Sequence, residues 1–439
     1  MKKIPTPPVL QDITHCFDWL DRQNLIPDEP LIDSPPAPEF VLNDRTVISF
    51  SSNNYLGLSR RPEVIEAASQ ALHRFTMGTC ESRRLGGNIA LLEALEERLA
   101  RFKGVESAMI FATGLLANVA VIPGLMDAQW YCNRFYGRPW SEEVGTLFSD
   151  TLNHRSIQMG IRLSHASCLK YRHGDMAHLE MLLAGCQTDR KMIVTDGIFS
   201  MDGDLAPLPE ITALAKTYQA AVMVDDAHGT GIFGQHGRGV ADHFGVEDQI
   251  DIHMGTLSKA VGAMGGFIAT DSKTVAFLKS TASGYRFTSS LPAEQAAGIL
   301  CAIDIMEQEP QLRQQLWDNV AYLLKGLHER QIPYPNRWSP IIPLFLGSAE
   351  KAFRAEQLLL KRGLSCIAII PPLVQNNRSR LRITLNATHT SNHIDRLLEG
   401  LEEIEKTMGF QPNGEPPHTW QQVQSMAPAY ISIMQSKVT

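Results

Sequence analysis

Two short apolar runs constrain this chain more than anything else in it. Ala221-Val222-Met223-Val224 leads into Asp225-Asp226-Ala227-His228-Gly229, and Ile250-Asp251-Ile252-His253-Met254 leads into Gly255-Thr256-Leu257-Ser258-Lys259-Ala260. Apolar runs of this length, bounded by turn residues, read as strands buried on both faces of a parallel sheet. The carboxyl ends of such strands are where open α/β sheets bind ligands. Taken singly, an aspartate there is a helix cap or turn residue, and Lys259 is a loop lysine. Asp225 and His228, three residues apart and ahead of a lysine set among hydroxyls and small residues, argue for a site. A lysine so placed is partly desolvated, has a lowered pKa and can condense with a carbonyl as the free amine.

The same alternation runs through the middle of the chain. Ala108 to Phe111 reads as a strand that leads through Thr113-Gly114 into a helix, an arrangement that offers free N–H groups and a positive dipole end to an anion. Met192 to Thr195 reads as a strand, Glu210 to Tyr218 as a helix, and Asn88 to Lys103 as a helix with apolar face Leu92, Leu95, Leu99 and Phe102, cap Asn88 and stop Gly104. Strands alternating with helices predict an α/β fold, with a mostly parallel sheet covered on both faces. After Pro292 the texture changes to helices rich in Gln, Glu, Leu and Arg, with apolar runs at Ile341 to Leu346 and Leu381 to Leu385. The expected division is an amino-terminal arm (1–50), a large domain (51–291), a smaller α+β domain (292–410) and a tail (411–439). Asp12 to Gln23 is expected to form one short amphipathic helix within the arm.

Net charge of −7 leaves no basic footprint for nucleic acid. Seven cysteines show no metal-like spacing, and Cys80, Cys132, Cys168 and Cys301 read as packing residues in a reducing compartment. No metal is expected. No secretory signal and no stretch long enough to span a membrane stand in the sequence, so a cytoplasmic location is expected.

Ordered motifs spaced between about Ser51 and Leu401 resemble those of the α-oxoamine synthases. They are Ser52-Asn53-Asn54-Tyr55-Leu56-Gly57-Leu58, Ser82-Arg83-Arg84-Leu85-Gly86-Gly87-Asn88, Thr113-Gly114-Leu115-Leu116-Ala117-Asn118, Leu152-Asn153-His154-Arg155-Ser156, Thr195-Asp196-Gly197-Ile198-Phe199-Ser200-Met201-Asp202-Gly203-Asp204, the Asp225 and Lys259 segments, Phe287-Thr288-Ser289-Ser290-Leu291-Pro292 and Arg380-Leu381-Arg382-Ile383-Thr384-Leu385. The resemblance implies a fold-type I enzyme dependent on pyridoxal 5'-phosphate. It further implies that Lys259 is the Schiff-base lysine, that Asp225 and His228 meet the ring nitrogen and hydroxyl, and that His154 stacks on the ring. Gly114, Leu115, Ser200 and Thr256 belong to the cofactor-binding set, and Thr288 and Ser289 reach the cofactor phosphate of a partner subunit in a homodimer. Asn54, Tyr55, Arg83 and Arg382 are implied substrate contacts, with Arg382 on the substrate carboxylate. Asp202 and Asp204 flank Gly203 in a turn and read as structural.

The implied reaction is acyl transfer: a small L-amino acid (alanine, serine or glycine) condenses with an acyl thioester of CoA or of a carrier protein, usually with loss of CO2, to give an α-amino ketone. Another fold-type I enzyme, an aminotransferase or lyase, is the alternative, and an inactive partner subunit is a second. Three departures bear on substrate identity. Leu115 stands where an aromatic residue is usual, Leu92 stands where a histidine is common, and the segment between Gly114 and His154 is long. That segment carries Trp130 to Trp140, with Arg134 and Arg138, expected either at the mouth of an acyl channel or against another subunit.

Overall fold

The computed structural model describes residues 7–22, 29, 31–35, 37–137, 143–412, 414 and 418–431. Seven strands form the central sheet: β1 (Ser107–Phe111), β2 (Thr146–Asp150), β3 (Ser167–Tyr171), β4 (Lys191–Asp196), β5 (Ala220–Asp225), β6 (Ile252–Thr256) and β7 (Gly266–Thr270). Their order across the sheet is β1-β7-β6-β5-β4-β2-β3. All neighbours are parallel except β7, which runs antiparallel to both β1 and β6. The two faces bury different sets of side chains. Ile110, Phe148, Ile193 and Val222 face one core, and Met109, Leu147, Met192 and Met223 face the other. This is why the strands read as continuous apolar runs, since burial on both sides removes the polar alternation of a half-exposed strand.

The helix Ala90–Lys103 buries Leu92, Leu95, Leu99 and Phe102, and Gly104 ends it in the left-handed conformation. Asn88 does not cap it. Ile89 occupies the cap position, and the Asn88 side chain accepts from Arg83 and donates to Glu93 instead. A buried guanidinium outcompetes a helix terminus for the same amide, because bonds to charged groups are the stronger ones.

A second sheet has Ser379–Thr384 at its centre, antiparallel to Ile341–Gly347 and Ile367–Ile369. Helices Gln311–Glu329, Ala349–Lys361 and Ser391–Met408 accompany it. Strands Glu39–Leu42 and Arg45–Ser49 form a third sheet with Leu364–Ser365, so residues from the amino-terminal region pair with the carboxy-terminal region. Ahead of them the helix Pro8–Arg22 has no buried residue. Cys80 is exposed, which corrects its reading as a packing residue, while Cys132, Cys168 and Cys301 are half-buried. No helix among the described residues is long and apolar enough to cross a membrane.

Candidate active site

Neighbouring strands bring their last residues to one edge of the sheet. β2 ends in Asp150, β4 in Asp196, β5 in Asp225 and β6 in Thr256. The register pairs Asp196 with Asp225 and Asp225 with Met254. At the same edge β1 runs through Thr113 into the helix Gly114–Met126. Thr113 is extended, and its side chain accepts the Leu116 N–H at 3.1 Å. The amides of Gly114 and Leu115 therefore remain among the unpaired donors of a helix start. A Cβ at Gly114 would lie 3.2 Å from Thr256 Oγ1, so the missing side chain is what lets this turn sit against the Thr256 hydroxyl.

Asp225 is held from the helix below it. Asn118 Nδ2 donates to Asp225 Oδ2 at 2.6 Å and to Ser156 Oγ at 2.8 Å, and the Ala227 N–H donates to Asp225 Oδ1 at 3.1 Å. Ser156 Oγ lies 2.7 Å from His154 Nδ1, and the Ser156 N–H donates to the same nitrogen. The Ser156 N–H aimed at Nδ1 makes that nitrogen an acceptor. That fixes the neutral tautomer with hydrogen on Nε2. Burial, with Lys259 acting in the same direction, lowers the His154 pKa. Gly160 permits the helix contact behind this network, because a Cβ there would lie 2.6 Å from the Asn118 carbonyl oxygen.

His228 is buried, and its Nδ1 shares a 2.7 Å hydrogen bond with the Tyr55 hydroxyl. Burial, then Lys259 and Arg382, push His228 well below the usual imidazole range. Tyr55 is raised to about 12 by burial and stays a neutral phenol. Tyr55 is 0% exposed. Its hydroxyl orients His228, and it stands close enough to Arg382 to feel that charge.

The Lys259 ammonium makes no hydrogen bond or ion pair among the described residues, and only its backbone carbonyl is bonded, by the Gly262 N–H. Burial lowers its pKa to about 8 against the opposing pull of Asp225 and Asp196. Arg382 Nε donates to the Ser200 carbonyl oxygen at 2.6 Å, Nη1 to Thr384 Oγ1 at 2.9 Å and Nη2 to Asn53 Oδ1 at 3.3 Å. None of these partners is a carboxylate, although Arg382 is buried. A buried guanidinium satisfied only by neutral oxygens is a ready receptor for an anion.

The other sequence candidates divide. Asn54 Nδ2 donates to Ser59 Oγ at 2.8 Å, and its Oδ1 is buried without a partner. Ser200 presents its carbonyl to Arg382. Thr288 is half-buried and Ser289 exposed, beside Ser290, whose Oγ lies 2.6 Å from Thr79 Oγ1. Asp202 pairs with Arg380 at 2.6 Å and Asp204 with His173 at 2.7 Å, tying down the turn that carries Ser200. Asp196, Asn118 and Ser156 received no role from the sequence. Asp196 accepts the His154 N–H at 2.9 Å, and burial with the neighbouring Asp225 holds it well above the usual carboxylate range.

Arg83 is placed elsewhere. Its Nη1 lies 2.5 Å from Glu96, its Nη2 2.8 Å from Glu93, and its Nε donates to Asn88. The guanidinium is held by Glu93, Glu96 and Asn88. Glu96 is the hub: it also accepts from Lys279 at 2.6 Å and from the Ile110 N–H at 3.0 Å. Glu96→Ala strands a buried arginine, so it is expected to cost about 3–5 kcal/mol in denaturant unfolding. A loss under about 1 kcal/mol would show the pair to behave as a surface ion pair.

In the described part of the aromatic segment, Trp130 packs at the amino edge of the sheet. Trp130 stacks on His165 with ring centroids 4.7 Å apart, and His165 lies just before β3. The cavity of about 550 Å³ beside them includes Arg134 and Arg190 and opens at the amino edge of the sheet. A five-residue strand spans about 17 Å, so Trp130 and Arg134 stand away from the carboxyl strand ends of their own subunit, while the Tyr131 hydroxyl accepts from Arg286 at 3.0 Å. Arg138 and Trp140 lie outside the described residues.

The residues present fit pyridoxal phosphate. Unpaired amides and a hydroxyl surround the Gly114 turn, a buried aspartate stands at the end of β5, a neutral histidine faces the cleft, and an unpaired lysine follows β6. The model for "Aminotransferase class I and II" matches residues 45–401. An 8-amino-7-oxononanoate synthase of Lysinibacillus sphaericus is 40% identical over 89% of this chain and 97% of its own. A serine palmitoyltransferase of Bacteroides ovatus is 39% identical over 86% of this chain and 92% of its own. A solved serine palmitoyltransferase carrying pyridoxal phosphate superposes with a TM-score of 0.82 at 30% identity, over 91% of this chain and 98% of that one. By sequence, fold and strand-end chemistry together, the chain belongs to the α-oxoamine synthases, pyridoxal-phosphate-dependent acyltransferases of the aminotransferase class I and II family.

Proposed function

We propose that this enzyme condenses alanine, serine or glycine with an acyl thioester of CoA or of a carrier protein, releasing CO2 and an α-amino ketone, and that it works as a homodimer in the cytoplasm. The observation that carries the reading is Arg382, a buried cation with no carboxylate partner among the described residues, whose charge bears on Lys259 and His228. An amino-acid carboxylate is the anion that would complete it.

Pyridoxal phosphate, when bound, supplies the electron sink for a carbanion at the amino acid's Cα. The protein's part is placement and proton handling. Lys259 would hold the cofactor, and its free amine would be the base for the amino acid's Cα proton. Asp225, fixed by Asn118 and the Ala227 amide, holds a proton on the ring nitrogen. His228, oriented by Tyr55, bonds the ring hydroxyl. His154 stacks on the ring and keeps Nε2–H for a substrate oxygen. Gly114, Leu115, Ser200 and Thr256 hold the cofactor, with the Gly114 amide and the Thr256 hydroxyl on its phosphate, and Asn54 touches the substrate. Exposed Met77, Leu85, Leu115, Met264 and Phe287 support a second copy covering this edge, with its Thr288 or Ser289 reaching the cofactor phosphate.

A panel of amino acids incubated with and without acyl-CoA and acyl carrier protein tests the reading. CO2 release is expected only with a thioester present and only from one or more of the three named amino acids. Transfer of the amino group to a 2-oxo acid, with no thioester requirement, would overturn it. Activity is expected to fall on dilution as the dimer dissociates, and a fully active monomer would refute the shared site.

A further inference from the structure

We infer that the buried pair Lys103–Asp226 positions the turn carrying Asp225 and His228, acting from the opposite face of the sheet. The inference rests on the cofactor reading of those two residues. Neighbouring residues at a strand end point to opposite faces. Asp225 reaches Asn118 in the helix Gly114–Met126, whereas Asp226 reaches Lys103, the last residue of the helix Ala90–Lys103.

Both members of the pair are 3% exposed, and Nζ stands 3.6 Å from Asp226 Oδ2. That oxygen also accepts the Val240 N–H at 3.0 Å. Lys103 donates to Thr230 Oγ1 at 3.0 Å and to the Arg238 carbonyl oxygen. One ammonium thus ties together the start, the middle and the end of the loop 226–238. The Asp226 carbonyl accepts the Gly229 and Thr230 N–H groups, which closes the turn on which His228 sits.

The carboxylate lies in a cradle of glycines. A Cβ at Gly239 would lie 1.4 Å from Oδ2, and Cβ atoms at Gly229 and Gly197 would lie 2.0 and 2.7 Å from Oδ1. Gly239 also has φ +120°, a conformation closed to other residues. A buried ion pair is a poor source of stability. What this one adds is a fixed distance between helix and turn, and with it the placement of Asp225 above and His228 beside it.

The test compares cofactor-free wild type with Lys103→Met, Asp226→Asn and, as a control for stability loss away from the turn, Glu96→Ala. Circular dichroism sets a temperature at which each variant is folded. Pyridoxal phosphate is then titrated, and affinity and the visible absorption maximum are recorded. Lys103→Met is expected to weaken binding by about tenfold or more and to move the absorption, while Glu96→Ala leaves both unchanged. A folded Lys103→Met with wild-type affinity and spectrum overturns the inference. Should Lys103→Met not fold, the isosteric Asp226→Asn decides on the same readouts, and wild-type behaviour there overturns the inference equally. Wild-type protein that takes up no pyridoxal phosphate refutes the cofactor reading and this inference with it.

Discussion

Lys259→Ala is expected to abolish covalent attachment of pyridoxal phosphate and to lower turnover by about 10²–10⁴-fold, the range of a lost proton-transfer group. The lysine follows β6, its ammonium has no protein partner among the described residues, and burial brings its pKa to about 8. Lys103 is locked to Asp226 and Thr230, and Lys279 is paired with Glu96. Borohydride should fix the cofactor irreversibly to the wild type and not to the variant. The pH dependence follows from the free amine being the reactive form. In cofactor-free protein, trapping of a simple aldehyde at Lys259 should fall tenfold for each pH unit below about 8 and level off above it. A borohydride-stable adduct in Lys259→Ala would show that another residue carries the cofactor, and a profile rising to pH 10 would show that the lysine is not desolvated.

Asp225→Asn is expected to keep the fold and to lower exchange of the substrate's Cα proton on the order of 10³-fold. A neutral amide cannot hold a proton on a ring nitrogen, so the electron sink is lost while the shape is kept. The fold should survive because Asn118 Oδ1 is buried without a partner. A flip of that amide presents an acceptor to the new NH2, and the Ala227 N–H keeps its acceptor oxygen. Proton exchange followed by NMR in deuterated solvent separates this from loss of binding. Unchanged exchange at saturating cofactor would remove Asp225 from the ring nitrogen.

Sequence alone showed β1, β4, β5 and β6, the helix Ala90–Lys103 and the residues that follow those strands, whereas β2 and β3 received no reading. Burial on both faces writes itself as continuous apolar runs such as Ala221 to Val224, and a chain leaving such a run must turn, so Asp225, Thr256 and the Gly114 turn were legible as edge residues. Arg382 was legible as a face because Leu381 and Ile383 flank it and both are fully buried. Which groups touch was decided only by tertiary structure. The network Asp225–Asn118–Ser156–His154 joins residues up to 107 positions apart through a helix crossing that Gly160 makes close enough. Arg83 and Arg382 look alike in a sequence as arginines beside motif residues. Among the described residues the fold gives one two carboxylates and the other none. The bond between Tyr55 and His228 joins residues 173 positions apart, and Trp130 meets His165 at the amino edge of the sheet. The physical reason is common to all of these. Local pattern records whether a side chain is buried, whereas the partner it meets there depends on distances set by the packing of elements far apart in the chain.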